Sequence, residues 1–220
     1  MSKLDEVKHR FEWDATNFAG IYSDGSPASR LFNRIFRKAI FDRYEITMKE
    51  SGDPTGKSFL DIGCGSGIYS VELARRGAAR VLGLDFSEPM LEIARASAAR
   101  TNVTDRTEYV RDEFLSHEFG DEKFDLVFAM GVFDYLEQPE PFLTKMAKLS
   151  RGKVVASFPQ YSLVRGTARR LRYRLTQRGD VFYYQPDDVA ALARRAGIQR
   201  HELVRIDSSG GGVVLVGHLA

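Results

Sequence analysis

The glycine-rich stretch at residues 59–70 contains residue types that could bind a polar ligand. Residues 59–62 are a short apolar run of the kind found in buried parallel strands, and Gly63, Gly65 and Gly67 follow at every second position before a helical pattern begins. These glycines remove the Cβ atoms that would keep a ligand away from the main chain. The amide groups at the start of the next helix favour an anionic or strongly polar ligand. The stretch therefore predicts a strand, a tight turn and a helix around a nucleotide-like ligand.

The glycine spacing and a nearby acid narrow the class of nucleotide. A dinucleotide fingerprint requires Gly-x-Gly-x-x-Gly, whereas the third glycine here comes one residue early. Asp61, within the strand, is a poor neighbour for a pyrophosphate but suits a cationic ligand or, through bridging water, an amino group. Residues 60–67, with the sequence LDIGCGSG, resemble the nucleoside-binding loop of class I S-adenosylmethionine-dependent methyltransferases. That resemblance implies S-adenosyl-L-methionine as the cofactor.

A second acid ends the next apolar run. Residues 79–85 are typical of a buried strand, and Asp85 closes it 24 residues after Asp61. A carboxylate at this position can accept hydrogen bonds from both hydroxyls of a ribose. The alternative is that Asp85 caps the following helix, because Ser87 and Pro89 are typical of a helix start. With the glycine loop present, we favour the ribose role.

The resemblance also assigns residues beyond the third predicted strand, 107–110. An acid there contacts the exocyclic amine of adenine in the resembling methyltransferases, and Asp112 occupies that position; the alternative is an acid in a surface turn. His117 lies nearby in a charged loop, where a histidine is usually only solvated.

In the resembling families N-terminal helices cover the cofactor, with a tyrosine just before the second helix. The other cofactor contacts implied by the resemblance are Tyr22, Phe86, Met90, Glu113, Phe114, Met130 and Gly131.

Residues beyond the fourth predicted strand are the candidates for catalysis. Residues 124–130 form the most apolar run of the chain, and a doubly wound sheet carries its chemistry at the carboxyl ends of its central strands. Asp134 and Tyr135 follow this run and are the predicted catalytic residues. Many resembling small-molecule methyltransferases have an acid followed by a histidine here, whereas this chain has Asp134 followed by Tyr135. Because tyrosine titrates near pH ~10, we expect Tyr135 to orient a substrate rather than to remove its proton.

An arginine-rich segment follows the fifth predicted strand. Between residues 160 and 180, six arginines are interspersed with tyrosine and leucine. Three interpretations remain open: a solvated helix packed on the core, a lid that grips an acidic substrate, or a patch for nucleic acid or a membrane surface. As a lid, the segment contacts substrate through Tyr161, Arg165 and Arg169. Residues 152–178 also resemble the methyltransferases that esterify a magnesium-protoporphyrin carboxylate, although the histidine expected of that family is not matched.

Together these elements predict one α/β domain. Its core is a Rossmann-like, doubly wound sheet of seven strands with the last strand antiparallel, as in the class I methyltransferases that the glycine loop resembles. A helical cap precedes the core, a basic lid is inserted after strand 5, and a helix and hairpin close the fold. The predicted cap, cofactor-binding core, lid and closing unit are residues 1–51, 57–158, 159–185 and 186–220.

Composition restricts the class of protein. A net charge of +2 over 220 residues gives no global reason to expect nucleic acid, and the 43% hydrophobic content is ordinary for a soluble enzyme. The single cysteine, Cys64, excludes an internal disulfide and fits a reducing compartment. The chain has no apolar stretch of about 18 residues and no signal-peptide pattern, so we expect a cytoplasmic protein without a membrane span. No histidine, cysteine or carboxylate spacing indicates a metal site.

The sequence thus predicts an S-adenosylmethionine-dependent methyltransferase of a small molecule, with oxygen as the expected acceptor atom and nitrogen second. A carboxylate or phenolate acceptor brings little or no proton to remove, and the arginines of the basic segment could hold it. Two alternatives remain open. One is an RNA methyltransferase that places these arginines on phosphates, and the other is a non-catalytic protein that retains the cofactor fold.

Overall fold

The computed structural model describes residues 41–160, 182–206 and 212–219. The predicted site residues Tyr22, Tyr161, Arg165 and Arg169 lie outside these ranges, as do most of the predicted cap and lid. The strands are β1 (Ser58–Ile62), β2 (Arg80–Asp85), β3 (Thr107–Arg111), β4 (Phe124–Ala129), β5 (Ser150–Pro159), β6 (Arg200–Arg205) and β7 (Gly212–His218). The helices are α1 (41–51), α2 (Ile68–Arg75), α3 (Glu88–Arg100), α4 (Pro139–Leu149) and α5 (Pro186–Arg195), with a 3-10 turn at Phe133–Tyr135.

The described strands form one seven-stranded sheet in the order β3-β2-β1-β4-β5-β7-β6. Strands β1 to β5 pair in parallel, whereas β7 runs antiparallel to both of its neighbours, β5 and β6. The strand order reverses between β1 and β4, and a crevice opens at the carboxyl ends of strands at such a point. The predicted Rossmann-like sheet with an antiparallel last strand is therefore confirmed.

Two hydrophobic cores cover the two faces of the sheet. Leu60 and Ile62 of β1 belong to the core that includes α4 and α5. Phe59, which points to the other face, belongs to the core that includes α1, α2 and α3. Because both faces are covered, the central strands are apolar along their length, which is the pattern that makes them recognisable in the sequence.

Helix α1 is anchored to the sheet at its C-terminal end. Met48 is buried in the second core, and the Ser51 hydroxyl donates a hydrogen bond to the Met48 carbonyl (2.8 Å). Lys153 on β5 forms an ion pair with the largely buried Glu50 (2.9 Å). This anchoring fixes the direction in which the rest of α1 crosses the sheet and so positions Arg43, whose surroundings are described below.

The amino ends of β1, β4 and β5 are held together by Asp125. Its Oδ2 accepts hydrogen bonds from the backbone N–H and the hydroxyl of Ser58 (2.8 and 3.1 Å), and Arg151 donates to both carboxylate oxygens (2.8 Å each). The hydrogen bond from Arg151, followed by those from Ser58, holds the pKa of Asp125 well below its usual range. The polar network lies at the edge of the sheet away from the crevice and serves stability.

Element boundaries differ from the sequence predictions by a few residues. Strand β5 begins at Ser150 rather than at residue 152, and the β4–β5 register shifts between Phe124 and Leu126, an irregularity that residue periodicity does not reveal. Strand β6 spans Arg200–Arg205 rather than 201–207.

None of the helices within the described ranges combines the length and the apolar character that crossing a membrane requires.

Candidate cofactor and active site

The glycine loop joins β1 to α2 at the carboxyl edge of the sheet. Gly63, Gly65 and Gly67 have φ angles of 68°, 52° and 74°, in the left-handed region that side chains rarely adopt. The backbone N–H groups of Gly63 and Cys64 both donate to the carbonyl of Leu84 (2.7 and 3.2 Å). The loop is therefore fixed against the end of β2.

The three glycines make room for different neighbours. A Cβ atom at Gly63 would lie 2.6 Å from Val132 Cγ2, and one at Gly67 would lie 2.8 Å from the Tyr109 hydroxyl. A Cβ atom at Gly65 would meet no atom of the described residues within 4 Å. The surroundings of the three glycines therefore differ. Of the three, Gly65 alone leaves open space, whereas the other two accommodate protein side chains.

Tyr109 on β3 supports the loop from beneath, and the sequence analysis missed it. Its ring crosses its register partner Gly83, where a Cβ would lie 2.7 Å from Tyr109 Cδ1, and its hydroxyl reaches Gly67. Burial is the main cause that raises the pKa of Tyr109. The available signal was Gly83 itself, because an isolated glycine within a buried strand often marks a close approach of another group.

Asp85 is fixed by both the glycine loop and helix α3. Its Oδ2 accepts a hydrogen bond from the Gly65 N–H (2.9 Å), and its Oδ1 accepts one from the Ser87 N–H (2.9 Å). Burial raises the pKa of Asp85, while the backbone N–H groups of Ser87 and Gly65 lower it. The contact with Ser87 forms a turn that leads into α3 rather than a helix cap, because the N-cap is Ser87 itself. It does not exclude a ribose contact, since a carboxylate offers about four acceptor positions.

Asp112 lies beside Asp85 because β2 and β3 are neighbours, and its backbone N–H donates to the Asp85 carbonyl (3.1 Å). Its side chain is 42% exposed; Oδ2 lies 2.8 Å from His117 Nδ1, and Oδ1 accepts a hydrogen bond from the Glu113 N–H (2.7 Å). The hydrogen bond with His117 is the main cause that lowers the pKa of Asp112. The expectation that His117 is only solvated is wrong, since its side chain is 20% exposed and bound to Asp112.

Asp61 lies beneath the glycine loop rather than at the surface of the crevice. It is 1% exposed, and its Oδ2 accepts a hydrogen bond of 2.6 Å from the Ser70 hydroxyl on α2. Burial raises the pKa of Asp61 to about 7, against the lowering effect of Ser70. Because desolvation disfavours the charged form, a cationic group placed nearby would favour ionisation of this carboxyl group.

The carboxyl end of β4 meets a guanidinium group from α1. Gly131 has a φ angle of 84°, and its N–H donates to the hydroxyl of the buried Ser157 on β5 (2.8 Å). Arg43 Nη1 lies 3.2 Å from the point where a Cβ on Gly131 would be, and Arg43 Nε is buried without a hydrogen-bond partner among the described residues. The sequence analysis missed Arg43, because helical periodicity does not show where the polar side of α1 crosses the sheet.

The predicted catalytic residues, Asp134 and Tyr135, lie in the 3-10 turn after β4. Asp134 is 4% exposed and its carbonyl accepts a hydrogen bond from the Phe182 N–H (3.0 Å), whereas Tyr135 is half-buried. The hydroxyl of Tyr184 donates to the Leu136 carbonyl (2.6 Å). Burial first and the charge of Asp134 second raise the pKa of Tyr184. The turn is thus tied to the chain that leads into α5, and Tyr184 is a further residue that the sequence analysis missed.

The remaining predicted contacts divide between half-buried and core positions. Phe86, Glu113 and Met130 are half-buried. Met90 is buried on α3, and Phe114 is buried with its ring 4.5 Å from that of Phe142 between centroids. The side chain of Phe114 therefore belongs to the core beneath the loop. In the ranges that the structure covers, no three histidine, cysteine or acidic side chains form a group that could hold a metal ion.

The strand order and the glycine loop resemble those of the class I S-adenosylmethionine-dependent methyltransferases. In agreement with this, residues 59–153 match the family described as methyltransferase domain. The matched domain and the fold support a class I S-adenosylmethionine-dependent methyltransferase.

Several curated proteins and solved structures are similar to this chain. The ubiquinone biosynthesis O-methyltransferase of Neisseria meningitidis serogroup A is 43% identical over 98 residues, which cover 44% of this chain and 41% of that protein. The enzyme of the same name from Aromatoleum aromaticum is 29% identical over 215 residues, covering 93% and 83%. The magnesium protoporphyrin IX methyltransferase of Synechocystis PCC 6803, solved with bound SAH, superposes with a TM-score of 0.75 at 19% identity over all of both chains. The match spans less than half the length of the Neisseria relative.

Proposed function

We propose that this protein binds S-adenosylmethionine in the crevice beside Gly65 and transfers its methyl group to an oxygen atom of a small-molecule acceptor. The observation that carries the proposal is the open space at Gly65 next to two prearranged carboxylates, Asp85 and Asp112. Asp85 ends β2 and Asp112 directly follows β3, so the two acids lie on neighbouring strands at the same edge of the sheet. The names of the relatives, ubiquinone biosynthesis O-methyltransferase, support oxygen as the acceptor atom.

The residues at the crevice have distinct proposed roles in binding. Asp85 accepts hydrogen bonds from the ribose hydroxyls, and Asp112 accepts one from the exocyclic amine of adenine. Arg43, whose Nε makes no hydrogen bond to the described residues, binds the carboxylate of the methionine part. Asp61 favours the positively charged amino group through its buried carboxyl group. Further proposed contacts are the backbones of Gly63, Gly65, Gly67 and Gly131, with Phe86, Met90, Glu113, Phe114, Met130 and, from the cap, Tyr22.

The catalytic work left to the protein is mainly orientation. When bound, S-adenosylmethionine would supply a methyl group activated by its sulfonium sulfur: attack of an acceptor lone pair on the methyl carbon would break the carbon–sulfur bond and release S-adenosylhomocysteine. The chain must therefore align the acceptor and exclude water. We assign the alignment to Tyr135 on the turn next to Asp134, and the turn is braced by the hydrogen bond from Tyr184 to Leu136 (2.6 Å).

The turn also bears on the class of acceptor. The Tyr184 hydroxyl is engaged as a donor, and burial raises its pKa, so it stays protonated at neutral pH. An acceptor that ionises by itself, such as a carboxylate or an acidic phenol, needs no base from this side chain. Such an acceptor suits the basic segment, where Tyr161, Arg165 and Arg169 are the proposed contacts. The buried free thiol of Cys64 supports a reducing, cytoplasmic location.

Calorimetric titration with S-adenosylmethionine, S-adenosylhomocysteine and NAD tests the binding step. We expect the first two to bind and NAD not to bind. Asp85→Asn removes one carboxylate oxygen and should weaken binding by about 1–3 kcal/mol, the cost of leaving a buried polar group unpaired. Asp105→Asn, at a 72% exposed side chain, is the matched control and should bind normally. Binding of NAD alone, or unchanged affinity of Asp85→Asn, contradicts the proposal.

Methyl transfer is tested by mass spectrometry on a panel of carboxylic acids, phenols, amines and RNA. An increase of 14 mass units on an acid or a phenol, with release of S-adenosylhomocysteine, is the expected result. Transfer to RNA alone would replace the small-molecule proposal with the nucleic-acid alternative. Binding without transfer to any class would favour the non-catalytic alternative.

A further inference from the structure

The loop between β3 and β4 is held by two side chains that have no assigned part in binding or catalysis. His117 closes the loop back onto Asp112 through the 2.8 Å contact between Nδ1 and Oδ2. Its ring packs edge-on against Phe119, with centroids 4.5 Å apart, so the imidazole is itself held in place. With its proton on Nδ1, His117 donates to Asp112 and fixes the plane of the carboxylate together with the N–H of Glu113.

Lys145 on α4 secures the same loop from the opposite side. Its ammonium group donates to the carbonyls of Leu115 (3.0 Å) and His117 (2.6 Å). It also lies over the rings of Phe114 and Phe119, 5.2 and 5.3 Å from their centroids. These contacts combine two hydrogen bonds with two cation–π interactions, so they hold the backbone of the loop at the residue that carries the imidazole.

The resulting chain of contacts runs from α4 to the edge of the crevice. Lys145 fixes the backbone at His117, His117 fixes the side chain of Asp112, and Asp112 lies next to Asp85. Two of the acceptor positions of Asp112 are taken by protein donors, and the others remain available at a side chain that is 42% exposed. A carboxylate held in this way presents its free positions in one direction.

We propose that His117 is a positioning residue that orients the carboxylate of Asp112 toward the exocyclic amine of adenine, with Lys145 holding the loop in place. This inference rests on the proposed function, because it requires an adenosyl ligand in the crevice. It predicts that His117 controls how well the protein distinguishes an amine from a carbonyl at that position of the base. Loss of a merely structural contact would weaken all ligands alike and leave that discrimination unchanged.

The test compares two ligands, S-adenosylhomocysteine and S-inosylhomocysteine, which carries a carbonyl oxygen in place of the amine. We expect the wild-type protein to bind the adenosyl compound at least about tenfold more tightly, because the carboxylate of Asp112 accepts from an amine and repels a carbonyl oxygen. His117→Ala should reduce this ratio several-fold. His117→Asn keeps an N–H near the position of Nδ1 and should retain the ratio.

His201→Ala is the matched control. His201 is also half-buried with Nδ1 in contact with a carbonyl, that of Ile198 (3.2 Å), but it lies on β6 at the opposite edge of the sheet from β3. The ratio of the two ligand affinities in His201→Ala should equal that of the wild type. Thermal unfolding shows which variants are folded. If His117→Ala is not folded, Lys145→Met, which removes the donor that holds the loop but keeps both His117 and Asp112, must lower the ratio of the two affinities.

The outcomes separate this inference from the proposed function. Failure of the wild type to bind S-adenosylhomocysteine refutes the proposed function itself. Equal binding of both ligands by the wild type refutes the contact between Asp112 and the amine. An unchanged ratio in folded His117→Ala refutes the positioning role and leaves the proposed function standing.

Discussion

The different surroundings of Gly65 and Gly67 predict that alanine substitutions at the two positions will have different effects. Both residues have positive φ angles, 52° and 74°, so alanine carries a backbone strain of about 1–2 kcal/mol at either position. At Gly67 the added methyl group also overlaps the Tyr109 hydroxyl at 2.8 Å and Ala94 Cβ at 2.9 Å. Such overpacking costs about 1–3 kcal/mol more. Gly67→Ala should therefore lower the free energy of unfolding by about 2–5 kcal/mol.

Gly65→Ala should lose only the strain, about 1–2 kcal/mol, because its methyl group meets no atom within 4 Å in the ranges that the structure describes. That methyl group instead projects into the space proposed for the ligand, so affinity for S-adenosylhomocysteine should fall by about tenfold or more. Gly120→Ala is the matched control, since Gly120 has a φ angle of 57° and equally open surroundings, but lies in the loop before β4. It should lose as much stability as Gly65→Ala and bind normally.

Urea denaturation measures the three free energies of unfolding, and calorimetric titration measures binding. Equal stability of Gly65→Ala and Gly67→Ala would refute the packing assigned to Gly67. Normal binding by Gly65→Ala would refute the assignment of the open space to a ligand.

Three further predictions follow from the charged groups. Burial raises the pKa of Asp61 to about 7, well above its unfolded value, so the folded state binds this proton more tightly than the unfolded state. The free energy of unfolding should therefore fall by up to about 4 kcal/mol between about pH 4 and pH 7 and then level off. Asp61→Asn should remove this slope in urea denaturation series, and an unchanged slope would contradict it. Asp125→Ala should cost about 1–3 kcal/mol at pH 7. The cost should shrink as the pH falls below about 4, because the stability that comes from the lowered pKa of Asp125 is lost progressively between its unfolded and its folded pKa; exposed Asp121→Ala is the control. Arg43→Met should weaken binding of S-adenosylhomocysteine but not of 5′-methylthioadenosine, which lacks the carboxylate. Arg100→Met, the control, should change neither affinity. Equal losses of affinity for both ligands in Arg43→Met would contradict the carboxylate contact.

The sequence alone was sufficient to predict the sheet. Buried parallel strands such as residues 124–129 are recognisable as apolar runs, and glycines lie between these runs. It was also sufficient to find Asp85, whose place at the end of a strand follows from local order. It was not sufficient for Arg43, Tyr109 and Tyr184. Their roles depend on which distant element they meet, and periodicity contains no information about such pairs.

His117 is a residue that the sequence analysis named but whose contact it did not predict. A histidine in a charged loop is usually solvated, and local sequence offered no reason to expect otherwise. The loop folds back so that His117 reaches Asp112, five residues earlier, because Lys145 from α4 binds the carbonyls of the same loop. That contact spans 28 residues and becomes visible only once α4 has packed against β4.

The acids at the crevice are arranged before any ligand arrives. Asp85 is bound by the N–H groups of Gly65 and Ser87, and Asp112 by His117 and the N–H of Glu113. Each carboxylate thus has a fixed orientation and free acceptor positions. A ligand that binds to them avoids the cost of ordering these side chains, about 0.5–1.5 kcal/mol for each flexible side chain immobilised. The same donors also offset part of the charge on each acid, which favours the ionised form that accepts hydrogen bonds.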